Sequence, residues 1–193
     1  MKNKIPKNWN QINIDKYQKL YNLYKIEQDY IELTFKRLSI LLDKSYEEIE
    51  QIPITEYNEI KETLEFVNSE PKQTNFKTEF ELNGKKFKFR NINELNFGEF
   101  MDLEHYKSDC IENMHRIMNI LYVTDNKEDN SDFLKHNLNI ETALSCFFFI
   151  YLFALNFLPS NMEGYSQLDI MMTNMKKEKK KIKKILKEKV LNQ

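Results

Sequence analysis

The dipeptide Asn83-Gly84 constrains this chain more than any other pair of residues. Asn-Gly fills the two positive-φ positions of a two-residue type I′ turn, so Lys77–Leu82 and Lys85–Arg90 are predicted to pair as a β-hairpin. In that register Phe80 opposes Phe87 and Thr78 opposes Phe89. One face then carries Thr78, Phe80, Leu82, Phe87 and Phe89, and the other sets Glu79 against Lys88 and Glu81 against Lys86. Both charged pairs are of opposite sign, which favours this register. A lone hairpin is marginal in water. Its apolar face must lie on helices of the same chain or add strands from a partner, which makes Phe80, Phe87 and Phe89 candidate docking residues.

The remainder reads as helix. The 193 residues hold 3 glycines and 4 prolines, too few for a turn-rich β fold. With 41% hydrophobic residues the chain can fill a core and does not have the composition of a disordered segment. A first helix opens at Asn13 or Ile14, with Tyr17, Leu20, Tyr21 and Tyr24 on one face. A second runs from about Asp29 to Leu42. Ser45 and Glu48 form a capping box for a short helix, Tyr46–Gln51, before Pro53. Thr55 is expected to cap a fourth, with Tyr57, Ile60, Leu64 and Val67 as its stripe and Pro71 closing it. Beyond the hairpin, Asn96 and Glu99 make a second capping-box start. Phe97, Phe100, Leu103, Tyr106, Cys110, Met114, Ile117 and Leu121 follow at helical spacing, with a break allowed near Lys107–Asp109. Thr124–Asp132 is polar and acidic and reads as an exposed loop.

The most apolar stretch, Ala143–Leu158, belongs to a helix beginning near Asn139 or Ile140. A bilayer span needs roughly 20 apolar residues. This stretch has 16, ends at Pro159 and has no basic flank, so it reads as a core helix that other elements or a partner must surround. Cys110 and Cys146 both sit in apolar surroundings and read as buried free thiols of a reducing compartment. Met1–Asn10 is polar, with Pro6 and Trp9, and does not resemble a secretory leader. The expected architecture is mainly α with one β-hairpin, an α+β class. A compact helical domain spans 1–165 with the hairpin at 77–90, and a C-terminal helix at 166–193, basic from 176, projects from it.

Charge is divided unevenly. The formal net charge is −1, yet the stretch from Lys176 to Lys189 carries nine lysines and two glutamates, net +7, which leaves −8 for the rest. The lysines are Lys176, Lys177, Lys179, Lys180, Lys181, Lys183, Lys184, Lys187 and Lys189, around a thin stripe of Ile182, Ile185, Leu186 and Val190. Three readings are open. The run can be a solvated helix end, where cations are favourable. It can dock on an acidic protein surface, including a neighbouring copy, since Glu56, Glu59, Glu62 and Glu65 recur every three residues. It can also bind nucleic acid or an anionic membrane surface. Without arginines or aromatics to read or stack on bases, any nucleic-acid contact is non-specific and salt-sensitive.

Chemistry-bearing patterns are sparse. Gly84, Gly98 and Gly164 are isolated and make no phosphate loop. His105, His115 and His136 are not at metal-ligand spacing, and neither His105 nor His115 stands three or four residues from Cys110. Cys146 lies among phenylalanines, which raise a thiol pKa. No cofactor, metal or catalytic residue is expected, and an enzyme is not the expected class.

Three segments carry a family likeness. They are Trp9-x4-Ile14-x2-Tyr17-Gln18-x-Leu20; Leu38-Ser39-Ile40-Leu41 with Tyr46-x2-Ile49-x2-Ile52-Pro53; and the hairpin followed by Phe97-Gly98-Glu99-Phe100-x-Asp102-Leu103-Glu104. In this order, over roughly residues 9–122, the chain resembles small structural or assembly proteins of tailed phages, in particular tail-assembly-chaperone-like proteins and proteins of crAss-like phages. The likeness implies a non-enzymatic virion component (tail, portal-ring or packaged protein) or a chaperone that leaves before maturity. Its partners would be other phage structural proteins or further copies of itself, in the virion or the host cytoplasm. It implies no catalytic residues, and the basic run from Lys176 lies outside its pattern.

Overall fold

The computed structural model describes residues 5–25, 30–72, 77–90 and 92–146, all within one compact unit, Met1–Phe153. The expected boundary at 165/166, the C-terminal helix and the lysine run lie outside the described residues. The fold is mainly helical with a small antiparallel sheet. Seven α-helices have both ends described: α1 (Ile14–Lys25), α2 (Tyr30–Leu42), α3 (Tyr46–Glu50), α4 (Ile54–Thr63), α5 (Phe97–Tyr106), α6 (Met114–Leu121) and α7 (Ser131–Asn137). Residues 140–146 are helical as well. The strands are β1 (Glu79–Leu82), β2 (Lys85–Phe89) and β3 (Tyr122–Val123), in the order β1-β2-β3.

The hairpin has the predicted register: Glu79 pairs with Lys88, Phe80 with Phe87 and Glu81 with Lys86. Its turn places Asn83 at φ +50° and Gly84 at φ +79°, as a type I′ turn requires. The third strand was not anticipated. Val123 and Tyr122 pair with Lys88 and Phe89, and the Arg90 amide donates to the Leu121 carbonyl at 2.8 Å. The Tyr122 hydroxyl donates to the Lys77 carbonyl at 2.6 Å, just ahead of β1. The chain itself thus supplies both the extra strand and the cover that the hairpin needs.

Helix starts follow local chemistry. Ser45 caps α3 and forms the capping box with Glu48. Asn96 does the same for α5 with Glu99. Thr55, expected to cap α4, is instead the second residue inside it. The helix begins directly after Pro53, whose carbonyl accepts from the Tyr57 amide at 2.9 Å, and Pro53 has no side-chain acceptor to offer. The stripe Ile60, Leu64 and Val67 is buried as expected, but the last turn tightens into a 3-10 helix at Leu64–Asn68. At the end of α2, Asp43 adopts φ +53° and the Lys44 amide reaches back to the Ser39 carbonyl at 3.2 Å, a Schellman-type stop built on aspartate.

The two ends of the described fold meet. Asn13 and Asn139 form an antiparallel bridge. In it the Ile14 amide donates to the Leu138 carbonyl at 3.1 Å and the Ile140 amide to the Ile12 carbonyl at 2.8 Å. Each asparagine also caps the helix that follows. Asn13 Oδ1 accepts from the Lys16 amide and Asn139 Oδ1 from the Thr142 amide, both at 2.9 Å. Around this bridge Ile12, Ile14, Leu138 and Ile140 are sealed from solvent, together with Met114, Met118 and Leu121 of α6 and Leu134 of α7. Trp9 packs edge-on against Tyr17 and Phe66, and its Nε1–H donates to the Ser69 carbonyl at 2.9 Å. The start of the chain is thereby pinned to the segment after α4.

Of the apolar stretch Ala143–Leu158, residues 143–146 are described, and all are buried. Among the described residues no helix is long and apolar enough to cross a membrane.

Candidate functional site

The face of the sheet on which Phe80, Phe87 and Phe89 lie is already occupied. Phe87 has no exposed surface. Its ring stacks on Phe80 at 5.1 Å and lies parallel to Phe133 of α7 at 6.2 Å. Tyr122 packs on Phe80 at 5.2 Å and on Phe89 at 5.5 Å. Lys85 reaches over the Phe133 ring and donates to Asn130 Oδ1 at 2.9 Å. Of the two covers expected for this face, elements of the same chain or a partner, the first holds for Phe87, while Phe80 and Phe89 are half-buried. The two-residue β3 and the seven-residue α7, neither of them foreseen, cover Phe87 from within, and Phe87 has nothing left to offer outward.

The exposed apolar surface lies one element further on. α5 carries ten residues and buries none of them fully. Phe97 is 80% exposed, Met101 49% and Phe100 38%. Phe97 and Met101 stand one helical turn apart, so they form one outward ridge with Phe100 on its flank. Leu103 and Tyr106 are half-buried on the opposite side. The helical spacing from Phe97 to Leu121 is interrupted where the sequence allowed a break, near Lys107–Asp109. After α5 the chain makes a 3-10 turn at Lys107–Asp109 and reorients before α6. Met114, Ile117, Met118 and Leu121 go into the core, and Phe97 and Phe100 do not.

The orientation of α5 is held by polar contacts at its start. Asn96 Oδ1 accepts from the Glu99 amide at 3.0 Å, and Glu99 Oε2 accepts from the Asn96 amide at 2.9 Å. Glu99 Oε1 lies 2.8 Å from Arg90 Nη2, just beyond β2. The Arg90 guanidinium and the Asn96 amide hold the Glu99 carboxyl below the usual carboxylate range. One carboxylate therefore joins the cap of the helix to the end of the sheet, and the Phe97–Met101 ridge is presented on a fixed mount. Three carboxylates of this part of the chain are ion-paired: Glu99 with Arg90, Glu104 with Lys107 and Asp109 with Lys25. From Arg90 to Glu112 the chain carries six carboxylates (Glu94, Glu99, Asp102, Glu104, Asp109 and Glu112) against Arg90 and Lys107, net −4.

A groove and a buried polar pair lie elsewhere in the described fold. A groove of about 120 Å³ between α2 and α4 is lined by Arg37, Tyr57, Lys61, Glu65 and Asn68 among others. There Arg37 Nη2 donates to Asn68 Oδ1 at 3.1 Å, and the space is large enough for a few waters rather than a substrate. In the core, Gln18 of α1 donates from Nε2 to the Ile111 and Glu112 carbonyls at 2.7 and 2.8 Å and lies 3.3 Å from His115 Nδ1. Gln18 Oε1 finds no partner among the described residues. Burial, aided by Lys135 and Arg116, pushes the His115 pKa down, so the imidazole is neutral near pH 7. This pair ties α1 to the start of α6. Cys110 and Cys146 are both buried and unbridged, and burial raises both thiols. Among the described residues no group of His, Cys, Asp and Glu is placed to hold a metal ion.

No protein family, curated protein or solved structure matches this chain.

Proposed function

We propose that this chain is a non-enzymatic protein that works by binding other proteins, as a component of a tailed-phage particle or of its assembly. The observation that supports protein contact is the α5 ridge, where Phe97 and Met101 stand in solvent on a helix whose cap and ion pair keep it in place. Exposed single apolar residues are common. Three on one anchored helix, set in a polar rim, are the usual composition of a protein contact. The phage setting is supported by the sequence likeness over roughly residues 9–122.

The lysine run supports a second reading, a module that attaches non-specifically to nucleic acid or to an anionic membrane surface. The two readings part in one experiment. Particles and assembly intermediates from cells producing the phage are separated on a density gradient and analysed by mass spectrometry. A virion component appears in particles at fixed stoichiometry, and a chaperone appears with tail intermediates and not with particles. Absence from both, with retention on DNA or on phosphatidylserine vesicles, overturns the assembly role in favour of the second reading.

A further inference from the structure

We propose that Asn83 is a site of spontaneous deamidation, with water as the co-reactant, and that the β1–β2 turn and its contact with α7 hold the reaction back. Gly84 follows Asn83, and no other asparagine of the chain precedes a glycine. A glycine nitrogen is the least shielded attacker, because no Cβ stands beside it. Both residues are exposed, and a Cβ built on Gly84 meets nothing within 4 Å, so water and base reach the turn. In the reaction the Gly84 amide gives its proton to solvent and its nitrogen attacks Asn83 Cγ. The new N–Cγ bond closes a succinimide ring, the Cγ–Nδ2 bond breaks, and the side-chain nitrogen leaves as ammonia. Water then opens the ring at either carbonyl, to aspartate or isoaspartate. The balance is asparagine plus water to aspartate plus ammonia, with no oxidant and no reductant.

Two features of the fold oppose the first step. Asn83 lies at φ +50°, in the left-handed region where ψ is about +47°. At that ψ the Gly84 nitrogen stands across the Cα–C bond from Cβ, whereas ring closure needs the two on the same side. The side chain is also engaged, because Asn83 Nδ2 donates to Asn137 Oδ1 at 3.0 Å, at the end of α7. The turn must open before the ring can close, so the rate follows the opened fraction. The product undoes both features. An aspartate has no Nδ2–H and sets a carboxylate against Asn137 Oδ1, while Asn137 Nδ2 stays on the Phe133 carbonyl at 2.9 Å. An isoaspartate adds a methylene to the main chain and cannot keep the type I′ turn. Deamidation thus removes, irreversibly, a tie between the sheet and the helix whose Phe133 lies parallel to Phe87.

The test ages the full-length protein at neutral pH, in buffer and in denaturing guanidinium chloride. The tryptic peptide Thr78–Lys85 is followed by mass spectrometry, with unaged protein digested alongside as the baseline. Asn83 should convert at least about tenfold faster in denaturant than in the folded chain. Asn137→Ala should quicken conversion in the folded chain and leave the rate in denaturant unchanged. No conversion in denaturant overturns the proposal, and so do equal rates in the folded and unfolded chains. An Asn137→Ala rate equal to the wild type's in both solvents overturns the part given to α7. A second measurement needs no variant. Hydrogen exchange at the α7 amides should be faster in the aged, deamidated fraction than in the intact one, with the α3 amides as the unchanged reference. Equal exchange at α7 in the two fractions overturns the tie between the turn and the helix.

Discussion

Asn83 and Gly84 hold φ values of +50° and +79°, and the second is where a side chain is least welcome. A Cβ built on Gly84 meets nothing within 4 Å, so Gly84→Ala introduces backbone strain and no clash. The expected loss is about 1–2 kcal/mol of unfolding free energy, measured as a lower urea midpoint with an unchanged slope. His115 offers a different single-residue prediction. Its folded pKa lies below the unfolded value of about 6.5. The unfolded chain therefore binds more protons in the window just below 6.5, and stability falls as pH drops through it. Arg116 and Lys135 oppose protonation, while Asp132 and Glu112 favour it. Urea titrations from pH 7.5 to 5 should show this loss, and His115→Gln should flatten it. An equal slope in both proteins would assign the loss elsewhere. Glu99 belongs to a lower window. Its carboxyl is held down by Arg90 and Asn96, so its contribution is present above the usual carboxylate range and disappears only as pH falls through the depressed value.

Among elements, the ones with a chemical signature were legible and the short ones were not. Asn-Gly announced the hairpin and its register. Ser45/Glu48 and Asn96/Glu99 announced the starts of α3 and α5, because a capping box is written in two side chains three residues apart. Tyr122–Val123 has no room to show a period of two, and it is a strand because β2 offers a free edge beside it. α7 has barely two turns, too few for a hydrophobic period to stand out from Thr124–Asp132. The direction of α5 was illegible for another reason. Its apolar spacing resumes in α6 beyond the break at Lys107–Asp109, and periodicity reports that a face exists without saying which way the face points. The asparagine caps can be tested directly. Asn13→Ala removes both the cap of α1 and the hydrogen bond from Asn13 Nδ2 to the His136 carbonyl at 2.7 Å. A loss of about 1–2 kcal/mol is expected. Asn139→Ala removes the equivalent cap for the helix at 140–146 and should cost about 1 kcal/mol. Both are read from denaturant midpoints, and a neutral Asn13→Ala would mean that the bridge orders this corner without help from its side chains.

At the scale of the molecule, the uneven charge gives a prediction that needs no structure of the assembly. A contact made by the net +7 stretch Lys176–Lys189 with an acidic surface weakens as added salt shortens the Debye length from about 10 Å at 0.1 M to about 3 Å at 1 M. A contact made of apolar burial alone weakens little, and strengthens in sulfate. The mass of the wild-type chain should therefore decrease from low to high sodium chloride, and a mass that rises with salt would assign the association to the apolar residues alone.

The bridge between Asn13 and Asn139 also sets a timetable. A ribosome adds about 5–20 residues per second. Asn13 and the His136 carbonyl it binds are 123 residues apart, so roughly 6–25 seconds separate their synthesis. During that interval Ile12 and Ile14, which the finished fold seals completely, have no permanent neighbours. The hairpin and the Trp9 pocket can be assembled early, but the core around α6 is completed only after residue 140 has left the exit tunnel. The newborn chain is therefore most exposed to aggregation, or most in need of a holding chaperone, until residue 140 has emerged.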